Sequence, residues 1–83
     1  MRAEAFKSHL TRTIGERTAD SYVSRCRRIE AALGLDLDAC DLSETGIANI
    51  RSGLQRQMPH TGMTPGSLAD CLTAARKYGA FRR

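Results

Sequence analysis

Apolar residues recur along this chain at intervals of three and four, and the spacing predicts four helices. The first carries Ala3, Phe6, Leu10 and Ile14 on one face and is expected over about residues 2–12, ending before Gly15. The second, about 18–33, has Thr18 as N-cap and Asp20 in its first turn. Its Tyr22, Cys26, Ile29 and Leu33 fall within about 60° on a helical wheel, and Gly34 is placed to end it.

Residues 35–42, Leu-Asp-Leu-Asp-Ala-Cys-Asp-Leu, alternate as a strand would, but no other segment reads as a partner strand. They are expected to form an extended loop that drops Leu37 or Leu42 onto the core. Ser43 and Glu44 open a third helix, about 43–57, with Ile47, Ile50, Leu54 and Met58 inward and Pro59 as its stop. A loop over 59–63 follows. Thr64-Pro65, an N-cap residue and then proline at the first helical position, starts the fourth helix, about 65–81. Leu68, Cys71, Leu72, Ala75 and Tyr78 share one face. Phe81 lies off that stripe, which leaves two readings: Gly79 loosens the last turn, or Phe81 packs against the first helix. The expected fold class is all-α, a compact four-helix domain over residues 1–83.

A chain of 83 residues has room for one modest core and a surface site. Hydrophobic residues make up 41% and aromatics only 5%, with no Trp, so aliphatic side chains must fill that core. No apolar run reaches the roughly 20 residues a membrane span needs. The N-terminal Met1-Arg2-Ala3-Glu4-Ala5-Phe6-Lys7 lacks the apolar region of a secretory signal. Cys26, Cys40 and Cys71 are odd in number with no close pair, which fits a reducing compartment; a cytoplasmic location is expected. Cys26 and Cys71 read as small core residues. His9 and His60 stand at no ligand-like interval from a cysteine, so neither a metal nor any other cofactor is expected.

Charge is where the chain departs from an ordinary helical domain. Eleven Arg and two Lys face nine acids, for a net charge of +4. Residues 36–44 hold four of the acids and no base, while the cations sit on the predicted helices. On the second helix, Ser21, Arg25 and Arg28 flank the buried stripe, and Arg27 turns away toward Glu30. A hydroxyl beside two guanidiniums suits phosphate, because guanidinium is always charged and donates paired hydrogen bonds. A solvated helix face explains the same residues equally well. Opposite the apolar stripe of the fourth helix lie Gly66, Ala69, Thr73 and Ala80, edged by Arg76 and Lys77. Small residues between cations fit a DNA groove with phosphate walls, or a close helix contact with another protein.

Catalytic constellations are missing. The seven glycines form no phosphate-binding loop, and no Ser/His/Asp or Cys/His grouping has a recognisable context. Tyr22 and Tyr78 both fall on predicted buried stripes.

The run Thr18-x-x-x-Tyr22-x-x-x-Cys26-x-x-Ile29-x-x-x-Leu33 resembles the second helix of the N-terminal core-binding (SAM-like) domain of tyrosine recombinases, the phage-integrase type. Leu42-Ser43 through Ile47, Ile50 and Leu54 is similar to that family's third helix, and Thr64, Leu68, Leu72, Ala75-Arg76, Tyr78 and Phe81 to its fourth. The likeness covers roughly residues 3–81. Cys26, Cys71 and the acidic connection depart from the usual pattern. The resemblance implies a SAM-like orthogonal bundle of bacterial or phage origin, forming one half of a clamp on duplex DNA in integration or recombination. It also implies that the second and fourth helices approach the DNA, which selects Ser21, Arg25, Arg28, Thr73, Arg76 and Lys77. The family's catalytic residues lie in another domain, so no enzymatic activity is expected of this chain. A fragment that partners a recombinase catalytic domain and a free-standing protein both remain open, as does a phage or mobile-element module that binds another protein through the same faces.

Overall fold

The computed structural model describes all residues, 1–83. It contains helices α1 (Ala3–Ile14), α2 (Glu16–Leu33), α3 (Glu44–Thr61) and α4 (Pro65–Arg82), with a single 3-10 turn at Leu37–Ala39 and no strand. The radius of gyration is 12.0 Å, close to the roughly 12 Å expected of a folded chain this long. The all-α, four-helix expectation holds. No helix is long and apolar enough to cross a membrane.

Two start and stop signals misled the sequence reading. Thr18 does not cap α2; it is exposed inside the first turn. The corner is made by Gly15, whose φ of 94° suits glycine alone among common residues, so α2 begins two residues earlier than predicted. The Ala19 N–H then donates to the Gly15 carbonyl at 3.0 Å and closes the turn. For the same reason α1 runs on to Ile14, two residues past its predicted end. Pro59 likewise does not stop α3, and the predicted loop over 59–63 begins only at Gly62. Proline lacks the N–H that would reach the Gln55 carbonyl, but Gln55 is exposed, where water serves that carbonyl instead. The true stop is Gly62, left-handed at φ 68°, whose N–H donates to Met58 O at 3.1 Å.

At the other two starts, position was right. Thr64 caps α4 by accepting from the Ser67 N–H at 3.1 Å. Ser43 occupies the cap position of α3, but its hydroxyl donates to Asp41 Oδ2 at 2.7 Å rather than accepting from the helix.

The core is one cluster contributed by all four helices and the connection. Phe6 sits edge-on to Tyr78 at 5.0 Å between ring centroids, and Phe81 lies 5.3 Å from Phe6. Phe81 therefore packs against α1, which decides between the two readings of the last turn. Cys26, Cys71, Ile29, Leu54 and Leu72 are buried as the periodicity predicts, while Tyr22 and Met58 are only half-buried. Met63, predicted as loop, is buried too.

The acidic connection between α2 and α3 is built into the fold. Leu37 and Leu42 both reach the core. Asp36 and Glu30 accept from the Met1 ammonium at 2.8 and 3.0 Å. Arg82, at the end of α4, donates to the carbonyls of Leu37 and Cys40 at 2.6 and 2.8 Å. The connection lies flat because α3 and α4 offer glycine where it crosses. A Cβ on Gly46 would collide with the Asp41 carbonyl oxygen, and one on Gly79 would stand 2.9 Å from Leu42 Cβ. Glu30, already held by Met1 and the Leu37 N–H, makes no ion pair with Arg27.

Candidate nucleic-acid interface

Helix α2 packs between α1 and α4, which leaves its polar side facing out over eighteen residues. Ser21, Arg25 and Arg28 lie on that outer side, as their spacing predicts. Ser21 is half-buried, and its hydroxyl donates to the Arg17 carbonyl at 3.3 Å. Arg28 is exposed with no carboxylate within ion-pair distance. Arg25 is different: its Nη2 lies 3.8 Å from Asp70 Oδ2 on α4, so an acid tempers the middle of the stripe. An exposed pair at that separation contributes well under about 1 kcal/mol to stability.

The α4 residues divide between two flanks. Thr73 is exposed and its hydroxyl donates back to the Ala69 carbonyl at 3.1 Å, a local bond that leaves the oxygen lone pairs free. Lys77 is exposed and unpaired, beside His9, Leu10, Thr13, Ile14 and Phe81 on the α1 side. Arg76 turns to the other flank, where its Nε lies 3.8 Å from Glu44 Oε1 at the start of α3. The structure thus brings together Ser21, Arg25 and Arg28 on α2, with Asp70 joining that stripe to the Thr73 and Lys77 side of α4. Arg76 stands apart from this group. Arg25 and Arg28 lie close enough to Cys71 on α4 to pull its thiol's pKa down, although burial, the larger effect, raises it overall.

Two residues of this surface escaped the sequence reading. Asp70 is the only acid among residues 45–83, and its position one turn before Thr73 was the available signal. Arg17, four residues before Ser21, extends the same stripe; it is exposed and has no acid within ion-pair distance. Asp20, the acid nearest in sequence on that side, pairs instead with Lys7 Nζ of α1 at 2.9 Å.

The hollow beside this stripe, lined by Glu16, Arg17, Asp20, Ser21, Ser24 and Arg25, has no apolar wall. Small-molecule sites are typically concave and mostly apolar, so this surface suits an extended polar partner better. Tyr78 is fully buried and lies away from this surface. Burial, with the Asp38 carboxylate beside it, holds the Tyr78 phenol above its ordinary pKa, and its oxygen also accepts from the Arg2 N–H at 2.8 Å. No family model matches this chain, and comparison with curated proteins and with solved structures finds no match either.

Proposed function

We propose that this chain is a non-catalytic duplex-DNA-binding domain that docks through the outer faces of α2 and α4. The observation that carries the reading is the exposed, unpaired Arg28 beside Arg25 and Ser21 on α2, with Thr73 and Lys77 exposed on α4, the helix whose Asp70 meets Arg25. The guanidinium, ammonium and hydroxyl groups exposed on these two helices match the donors that proteins offer to a phosphate backbone. Arg76, turned toward Glu44 on the other flank of α4, is left outside this surface. The resemblance to the core-binding domain of tyrosine recombinases supports the same two helices and suggests a SAM-like clamp half acting in DNA integration or recombination, in the cytoplasm of a bacterium. Chemistry on DNA would then belong to a separate catalytic domain.

A second reading has one specific observation in its favour. Ile14 is the only large apolar side chain left 40% exposed, and it borders the groove that holds Lys77 and Phe81. A protein partner would cover it.

Salt separates the two. Fluorescence anisotropy with a labelled generic duplex is expected to give a Kd on the order of 10⁻⁴–10⁻⁶ M near physiological salt, tightening steeply as salt falls. Absence of duplex binding at low salt would refute the DNA reading and favour the protein-interaction module.

A further inference from the structure

We infer that Arg17 is a DNA-backbone contact, and that the working cations of α2 are Arg17 and Arg28 at the two ends of its outer face, with Arg25 offset by Asp70 of α4. The inference rests on the duplex-binding reading above.

Arg17 and Arg28 are eleven residues apart, which on an α-helix is three turns to within about 20°, so they share one line. At about 1.5 Å per residue they are separated by roughly 16 Å along the axis. Between them on the same side stand Ser21 and Ser24, both short, so nothing bulky holds the helix away from a flat or grooved partner. A helix laid across a groove about 12 Å wide would set one arginine on each wall and the serines over the opening.

Charge bookkeeping singles out the same pair. Neither Arg17 nor Arg28 has a carboxylate within ion-pair distance, whereas Arg25 faces Asp70 at 3.8 Å. Asp20, the nearby acid in the second turn of α2, is drawn toward α1 by Lys7. Glu16, about 100° round the helix, lines the same hollow as Arg17 but makes no ion pair with it. Arg25 lies against Asp70 of α4, and that acid lowers its availability to phosphate.

The test is the slope of log K against log salt for a generic duplex, measured for the wild type and for Arg17→Ala, Arg28→Ala, Arg27→Ala and Asp70→Asn. Each lost phosphate contact lowers the slope by about 0.9. Arg17→Ala and Arg28→Ala are each expected to lower it by that amount and to weaken all sequences alike, and the double variant by about twice as much. Arg27, roughly 100° off the line, should leave it unchanged. Asp70→Asn frees Arg25 and removes an acid, so binding should tighten and the slope should steepen, with the melting temperature little changed. Arg17→Gln repeats the test with the stem retained should the alanine variant fold poorly. A wild-type slope in both Arg17 variants, with a reduced slope in Arg28→Ala, overturns the inference and leaves the duplex reading standing. Equal losses at 17, 27 and 28 mean a diffuse basic field and overturn it too. Wild-type protein that binds no duplex removes both.

Discussion

The Tyr78 hydroxyl donates to Asp38 Oδ1 at 2.5 Å, across forty residues of sequence, and ties the end of α4 to the acidic connection. The same oxygen accepts from the Arg2 N–H, so one phenol joins α4, the connection and the start of α1. Tyr78→Phe keeps the ring that packs on Phe6 but leaves the Arg2 donor without this partner. A loss of about 1–2 kcal/mol in urea unfolding is expected, with little change in the slope of the transition. A variant as stable as wild type would show that the hydroxyl is not structural.

Gly46 offers a test in which two effects have opposite signs. Alanine is favoured over glycine in a helix interior by about 1 kcal/mol. At position 46 the added Cβ meets the Asp41 backbone carbonyl, which cannot move without shifting the connection. Overpacking of that kind costs about 1–3 kcal/mol. Gly46→Ala should therefore lower the melting temperature. Gly66→Ala, whose nearest contact is Thr64 Oγ1 at 3.9 Å, should leave it unchanged or raise it.

Stability should plateau between about pH 4 and pH 8. Asp36 and then Glu30 hold the Met1 ammonium above its ordinary pKa of 8.0, so that contribution is full below about pH 8 and is lost as pH rises through the folded-state value. Asp36, held low mainly by the ammonium, and Asp41, held low by the Ser43 N–H, are both depressed from 3.8. Their contribution is full above about pH 4 and is lost as pH falls through the folded-state values. Melting temperatures from pH 2 to 9.5 should fall on both sides, and Asp36→Asn should flatten both limbs. An alkaline limb unaffected by that substitution would mean that the ammonium is not held as described.

The three thiols should differ in reactivity. Burial pushes the Cys26 thiol up to about 12, and raises Cys71 as well. Cys40 is only half-buried, with its Sγ 3.2 Å from the Asp36 carbonyl that accepts from it. A thiol reagent on native protein should modify Cys40 alone, and slowly, with the other two appearing only on denaturation. Rapid modification of two or more native thiols would contradict the packing of α2 against α4.

What the sequence made legible was local. The inward stripe of α4 follows from the spacing of Leu68, Cys71, Leu72, Ala75 and Tyr78, and Thr64-Pro65 locates its start within one residue. Thr18 and Pro59 misled because a cap or a break competes with its neighbours: Gly15 and Gly62 take the conformations that set the ends of α2 and α3. The acidity of residues 36–44 was visible, but its purpose was not, because the Met1 ammonium and Arg82 arrive from the two ends of the chain. The candidate surface shows the same division. Spacing found Ser21, Arg25 and Arg28; only the packing of α2 on α4 shows that Asp70 engages Arg25 and that Arg76 turns toward Glu44.

The most direct test of the proposed docking face is a map of backbone amide shifts in the ¹⁵N-labelled protein as a short generic duplex is added at low salt. The account predicts perturbations concentrated on residues 17–28 of α2 and 70–77 of α4, with the exposed Arg51 and Arg56 of α3 unaffected and the shifts reversed by added salt. Perturbations centred on α3, or spread evenly over every exposed arginine, or none at all, would contradict it.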